Sequence, residues 1–176
     1  MEKYCAFLRG VNVKGTNMKM AEVCKVFQDA GVKDVSSVLA SGNIIFSSAD
    51  SVESLKTKLE KELSDYFDYE AFLFIRNEAE IKAIFSGSPF SSSPEYHNYV
   101  FITTEGTEDA LMQFFDGAAY KENEQAEIVR AHFYWKTPKG NTLNSDFGKV
   151  LGKKSLKDRL TSRNINTIEK ILKKML

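Results

Sequence analysis

Residues 33–48 read KDVSSVLASGNIIFSS, and this stretch decides the fold. Two β-prone runs, 33–40 and 44–48, stand on either side of Ser41-Gly42-Asn43. Serine, glycine and asparagine between two such runs are typical of a tight turn. The stretch therefore predicts two neighbouring strands that run in opposite directions.

The segments around this strand pair complete a known pattern. Residues 18–31 and 51–67 repeat apolar side chains at helical spacing, and residues 3–11 and 69–76 are apolar and β-prone. The resulting order is strand, helix, strand, strand, helix, strand. This order is the ferredoxin-like split βαβ pattern, and it favours an α+β fold over a doubly wound sheet.

The second half of the chain is less regular, but it also contains β-prone runs and runs with apolar residues at helical spacing. We predict a ferredoxin-like βαββαβ subdomain over residues 1–76. Over residues 77–176 we predict a second, modified ferredoxin-like half with a helical C-terminus. The last helix is expected over residues 162–176, with Thr161 or Ser162 as its N-cap.

Composition excludes several classes of protein. Hydrophobic residues make up 43% of the chain and charged residues 27%, which suits a packed core. No apolar run approaches the ~20 residues that span a bilayer, and the first residues do not resemble a secretory signal. We therefore expect a cytoplasmic protein without a membrane partner.

Charge is unevenly distributed along the chain. Residues 77–137 hold 4 basic and 10 acidic side chains, whereas residues 138–176 hold 10 basic and 3 acidic ones. The basic segment is able either to attract an anionic partner or to neutralise the acidic segment. The sequence leaves both alternatives open.

The predicted topology brings polar residues to one end of the first sheet. The loop after the first strand, the turn between the second and third strands, and the start of the first helix lie at the same end. Helix N-termini favour anions. The candidate ligand-binding residues there are Arg9, Asn12, Lys14, Asn17, Lys19, Ser41 and Asn43. A plain strand–helix connection is the competing interpretation, because the loop lacks the Gly-Lys-[Ser/Thr] ending of a phosphate-binding P-loop.

No motif points to catalysis or to a metal. His97 and His132 have no acidic or cysteine partner at metal-ligand spacing, and no Gly-x-Ser-x-Gly elbow is present. We therefore name no catalytic residue, metal or cofactor. An enzyme whose site assembles from distant residues stays open.

Three further segments are informative together: FLRGVNV at 7–13, LASGN at 39–43 and TSRNINT at 161–167. They resemble the bacterial domain-of-unknown-function family 1697, and the resemblance covers almost the whole chain. The resemblance implies a ferredoxin-like α+β fold and no established activity. Two departures are Lys14, where the family tends to show glycine, and Ile165, where it tends to show tryptophan.

The third segment extends the list of candidate ligand residues to Arg163, Asn164 and Asn166. An arginine in the first turn of a helix needs an anionic neighbour, which is either an internal carboxylate or a ligand. Our functional hypothesis is a cytosolic binding module for an anionic, phosphate-bearing molecule or a nucleic-acid backbone. The alternatives are a structural or interaction protein, in which these residues brace the fold, and an enzyme with a polar site.

Overall fold

The chain forms two compact units, each built on one four-stranded sheet. The structure is a computed structural model, and it describes residues 1–11 and 17–176. The first unit comprises Met1–Lys82 and Glu169–Leu176, and the second comprises Ala83–Ile168. Across the described ranges, no helix has the length and apolar character required to cross a membrane.

The first sheet has the predicted ferredoxin-like topology. Its strand order is β2-β3-β1-β4, with antiparallel neighbours throughout. The elements are β1 (Glu2–Leu8), α1 (Met20–Asp29), β2 (Lys33–Ser37), β3 (Asn43–Ser48), α2 (Val52–Phe67), β4 (Leu73–Asn77) and α3 (Glu78–Ser86). The third strand lies between the first and the second, so the α+β prediction is confirmed.

The second sheet repeats this topology. Its strand order is β6-β7-β5-β8, and its neighbours are also antiparallel. The elements are β5 (Tyr96–Thr103), α4 (Thr107–Asp116), β6 (Gln125–Val129), β7 (His132–Pro138), the 3-10 helices η1 (Gly148–Gly152) and η2 (Lys154–Leu156) and β8 (Leu160–Asn164). Helix α5 (Ile165–Met175) follows β8, and its residues from Glu169 onward belong to the first unit. Two short 3-10 helices connect β7 to β8, whereas in the first unit α2 connects the corresponding strands, β3 and β4. The second half is therefore a modified copy of the first.

Each unit has its own core under the sheet. In the first unit the apolar stripe of α2, which includes Leu55, Leu59 and Leu63, is fully buried together with Phe27 and Phe46. Burial of a large apolar side chain stabilises a fold by about 1.5–3 kcal/mol. In the second unit the buried core centres on aromatic rings: Phe101, Phe133, Trp135 and Phe147.

The last helix starts later than the sequence suggested. Residues 160–164 form β8, which pairs with β5 and places Asn164 opposite Tyr99. Helix α5 begins at Ile165, and the side-chain oxygen of Asn164 accepts the N–H of Asn166 at 2.9 Å. Asn164, rather than Thr161 or Ser162, is therefore the N-cap. Pairing with β5 explains the difference, since strand hydrogen bonds to a distant segment outweigh local helix preference.

The strand registers identify equivalent positions in the two units. Tyr4 lies opposite Asn77 and Phe46 in the first sheet. Tyr99 lies opposite Asn164 and Trp135 in the second. In both sheets the tyrosine ring stacks on its aromatic neighbour, with ring centroids 5.7 Å apart in the first and 5.5 Å in the second. Asn77 and Asn164 are therefore equivalent residues, each at the junction of a fourth strand and a helix.

Candidate functional site

The predicted meeting of the β1 end with the β2–β3 turn occurs in the first unit. The backbone N–H of Leu8 donates to the carbonyl of Gly42 at 2.8 Å. Gly42 has a φ of 83°, and a Cβ there would lie 2.9 Å from side-chain atoms of Leu8 and Val11. This close approach requires glycine. Two of the candidate residues near this turn, Asn12 and Lys14, lie outside the described residues.

Asn43 braces this turn from the inside. Its side chain is completely buried. Its Nδ2 donates to the carbonyl of Val38 and to Oγ of Ser41, both at 2.9 Å. Both amide hydrogens are therefore committed to internal acceptors, whereas Ser41 itself is exposed.

The remaining candidates of the first unit surround the same end of the sheet. Arg9 is half-buried, and its backbone N–H donates to the carbonyl of Phe72 at 3.2 Å. Asn17 and Lys19 are exposed, and Lys19 occupies the N-cap position of α1 without a side-chain cap. Exposure leaves both side chains accessible from solvent.

Arg163 makes two side-chain hydrogen bonds to residues of its own strand. It is only 7% exposed, and its Nη1 donates to Oγ1 of Thr161 and to the carbonyl of Ser162, both at 2.8 Å. The residue lies in β8 rather than in the first turn of α5, so the prediction that placed it in that turn was wrong. Arg76, one residue before Asn77 in the first unit, donates to its preceding carbonyl in the same way. Burial lowers the pKa of the Arg76 guanidinium, and nearby Glu80 opposes this shift.

The other two candidates of the third segment line a cavity in the second unit. This cavity, which we call the α5 cavity, has a volume of about 100 Å³. It brings the start of α5 together with the start of β5 and the end of β7. The described residues that line it are Ser92, Ser93, Tyr96, His97, Asn98, Lys139, Asn164, Ile165 and Asn166.

Asn164 connects the helix cap to His97. Its Oδ1 accepts the N–H of Asn166, so its Nδ2 is the atom that lies 3.1 Å from Nδ1 of His97. An NH₂ group only donates, so Nδ1 of His97 accepts. The neutral imidazole therefore carries its proton on Nε2. Sequence spacing missed His97 because it tested the residue only for metal partners nearby in the chain.

The charges around the α5 cavity favour an anion. Lys139 is the cation of the lining, and the described lining residues include no carboxylate. The first turn of α5 carries no acidic residue either. A helix N-terminus bears a partial positive charge. The backbone N–H of Lys139 donates to the carbonyl of Glu95 at 2.9 Å, which joins the residue after β7 to the residue before β5.

Asn98 has a buried side-chain acceptor without a partner among the described residues. The residue is 6% exposed, and its Nδ2 donates to the carbonyls of Phe90 and Ser91 at 3.4 and 3.1 Å. Its buried Oδ1 makes no hydrogen bond to any residue of ranges 1–11 and 17–176. Buried polar atoms are nearly always paired, so this oxygen is an exception within the second unit.

The equivalent positions of the first unit carry carboxylates instead. The register that equates Tyr4 with Tyr99 places Glu2 where the second unit has His97. Likewise, Asn77 is followed by an acidic first turn with Glu78 and Glu80. Asn77 and Glu80 form a capping box, in which the backbone N–H of each residue donates to the side-chain oxygen of the other. The first copy thus has carboxylates at this junction, whereas the described lining of the α5 cavity has none.

Comparisons with known proteins agree with this fold. Residues 1–134 match a family model described as protein of unknown function, DUF1697. The structure is similar to that of the conserved bacterial protein SP0830 from Streptococcus pneumoniae. The two chains share 24% identity with a TM-score of 0.79, and the match covers 99% of each chain. No curated protein matches this sequence. On the strength of the family match, the chain belongs to the DUF1697 family.

Proposed function

We propose that this protein is a binding module for a small molecule with an anionic, phosphate-like group, which it holds in the α5 cavity. One observation carries the proposal: Lys139 and His97 line the cavity, and the described lining includes no carboxylate. Cationic and N–H donors around a small space at a helix N-terminus suit an oxyanion. The predicted cytoplasmic location is part of this proposal.

The size of the cavity favours a small group over a polymer. Pockets that enclose a drug-sized ligand typically measure ~300–1,000 Å³, and the α5 cavity has about 100 Å³. One phosphate-sized group is therefore the natural occupant. A nucleic-acid backbone requires a longer basic groove that follows several phosphates. For this reason we place the nucleic-acid alternative second.

Titration with inorganic phosphate tests the proposal. Binding is followed by calorimetry and by NMR shifts of the Asn164 and His97 side chains, at constant ionic strength. We expect saturable binding by the wild type. Lys139→Ala should weaken it about tenfold or more, because a hydrogen bond to a charged group contributes about 1.5–3 kcal/mol.

Lys154→Ala is the matched control for Lys139→Ala. Lys154 is an exposed lysine of the same unit that does not line the cavity, so its removal changes net charge equally. We expect it to bind phosphate as the wild type does. Equal weakening in both variants, or no saturable binding by the wild type, would overturn the proposal. Oligonucleotide binding that falls steeply with salt and is lost in Lys139→Ala would favour the nucleic-acid alternative.

A further inference from the structure

We infer that protonation of His97 removes the N-cap of α5, because the ring and the helix then compete for one oxygen atom of Asn164. While the imidazole is neutral, each polar side-chain atom of Asn164 has its own partner. Its Oδ1 accepts the backbone N–H of Asn166 at 2.9 Å, and its Nδ2 lies 3.1 Å from Nδ1 of His97. Such a switch operates without a ligand, so it stands apart from the proposed function.

The backbone of α5 fixes the orientation of the Asn164 amide. The N–H of Asn166 only donates, so the side-chain atom that faces it is the oxygen. The NH₂ group of Asn164 also only donates, and neutral His97 meets it with the lone pair of Nδ1. Both hydrogen bonds are therefore satisfied only while Nδ1 carries no proton.

A charged His97 changes this balance. The imidazolium carries a hydrogen on both ring nitrogens, so Nδ1–H and the NH₂ group of Asn164 would face each other as two donors. Rotation of the amide by half a turn brings Oδ1 to Nδ1, but it also turns the NH₂ group toward the N–H of Asn166. A hydrogen bond from a charged donor is about twice as strong as one between neutral groups. The oxygen should therefore go to the ring, and α5 loses its cap.

The groups around His97 include no described carboxylate that could take the place of Asn164. The titratable residues that line the α5 cavity with His97 are Tyr96 on β5 and Lys139 after β7. Farther along β5, the ring of Tyr99 has its centroid 5.7 Å from that of His97. The uncharged neighbours are Thr137, opposite His97 on β7, and the remaining described lining residues Ser92, Ser93, Asn98, Asn164, Ile165 and Asn166. Oδ1 of Asn164 is thus the acceptor that a charged Nδ1–H can recruit by a simple amide rotation.

A pH titration of the wild-type chain by NMR tests the switch. Histidine side chains ordinarily gain their proton between about pH 8 and pH 5. The ¹⁵N shifts of the His97 ring report its charge, whereas the Asn164 NH₂ and the Asn166 N–H report the cap. We expect these signals to change with one midpoint. The hydrogen-exchange protection of the Asn166 N–H, corrected for the intrinsic effect of pH, should fall about fivefold, as expected for a lost N-cap.

Two results in the wild type would overturn the inference. One is a His97 ring that becomes charged while the Asn164 and Asn166 signals stay constant. The other is a ring that remains neutral down to pH 5, because the switch then has no trigger in this range.

His97→Phe and His132→Phe are matched variants for the same titration. These are the two histidines of the chain, and His132 does not line the α5 cavity. Phenylalanine keeps an aromatic ring but cannot be protonated. The Asn166 signal should become independent of pH in His97→Phe and respond as in the wild type in His132→Phe. A response that persists in His97→Phe, or that disappears in His132→Phe, contradicts the switch. If His97→Phe does not fold by circular dichroism, the wild-type titration still decides.

Discussion

The side-chain amide of Asn164 lies 3.1 Å from Nδ1 of His97. Its oxygen meanwhile accepts the N–H of Asn166 and caps α5. One residue therefore sets both the start of the helix and the tautomer of the histidine in the α5 cavity. The two tasks are separable by mutation, because only one of them requires an NH₂ group.

Asn164→Asp should reverse the tautomer of His97 without unfolding α5. Aspartate caps helices about as well as asparagine, so we expect the melting temperature to stay close to that of the wild type. A carboxylate only accepts, and His97 must then present an N–H at Nδ1. The ¹⁵N shifts of the two ring nitrogens report this exchange. Unchanged ring shifts would contradict the hydrogen-bond assignment, and Asn77→Asp, at the equivalent cap, serves as the control.

Gly42→Ala should strongly destabilise the first unit. A Cβ at this position would lie 2.9 Å from side-chain atoms of both Leu8 and Val11, at a φ of 83°. Strain at positive φ costs about 1–2 kcal/mol, and overpacking adds about 1–3 kcal/mol. Gly140 has the same φ and open space around it, so Gly140→Ala should incur only the smaller backbone cost. Urea unfolding measures the free energy of unfolding of both variants. Equal losses of stability in the two would show that the steric clash is absent.

Glu124→Ala should destabilise the second unit by about 2–4 kcal/mol, because it leaves two buried donors unpaired. Oε1 of Glu124 accepts Nε1–H of Trp135 at 2.9 Å and the hydroxyl of Ser145 at 2.7 Å. Glu124→Gln keeps an acceptor in place and should lose less. Trp135 is the single tryptophan, so its fluorescence follows unfolding of this unit directly. A smaller loss in the alanine variant than in the glutamine variant would contradict this account.

Stability should fall between about pH 10 and pH 12, in part through Tyr134. Burial raises the pKa of Tyr134 to about 12, against the effect of Arg130, whereas an unfolded tyrosine titrates near 10. Below pH 10 Tyr134 is protonated in both states, so its contribution to stability does not change there. Above it the unfolded state loses its proton first and is favoured.

Tyr134→Phe checks this origin of the alkaline loss. The variant lacks the bond from the Tyr134 hydroxyl to the carbonyl of Ile84, 2.6 Å long, so it should be about 1 kcal/mol less stable at neutral pH. Its stability should then decline less steeply above pH 10. Some decline should persist, because burial and nearby Glu60 raise the pKa of Tyr69 to about 12 as well. An identical slope in wild type and variant would rule out Tyr134 as a source.

The fold was predictable where local patterns and topology agree. The turn around Gly42 and the apolar stripe of α2 identify the first ferredoxin-like unit from the amino-acid sequence alone. The start of α5 was not predictable, because residues 160–164 adopt strand structure through pairing with β5, some 60 positions earlier in the chain. Local helix signals carry no information about such a partner.

The candidate site was predictable only in part, for the same reason. Asn164 and Asn166 were identified through the family resemblance, and both line the α5 cavity. His97, Asn98 and Lys139 come from other elements, and no sequence spacing connects them to α5. The charge excess of residues 138–176 was the one available signal for Lys139. Whether Arg9, Asn43 and Arg163 contact a ligand stays a prediction.

The duplication has a practical consequence for any binding experiment on this chain. Asn77 and Asn164 occupy the same position in two copies of one fold, beside Tyr4 and Tyr99 respectively. Carboxylates stand near Asn77, whereas the described lining of the α5 cavity has none. In one NMR spectrum, the Asn164 side-chain signals are therefore expected to shift when an oxyanion binds. The Asn77 signals are expected not to shift, so they serve as an internal reference. A specific ligand moves only the Asn164 signals, and a general effect of salt moves both.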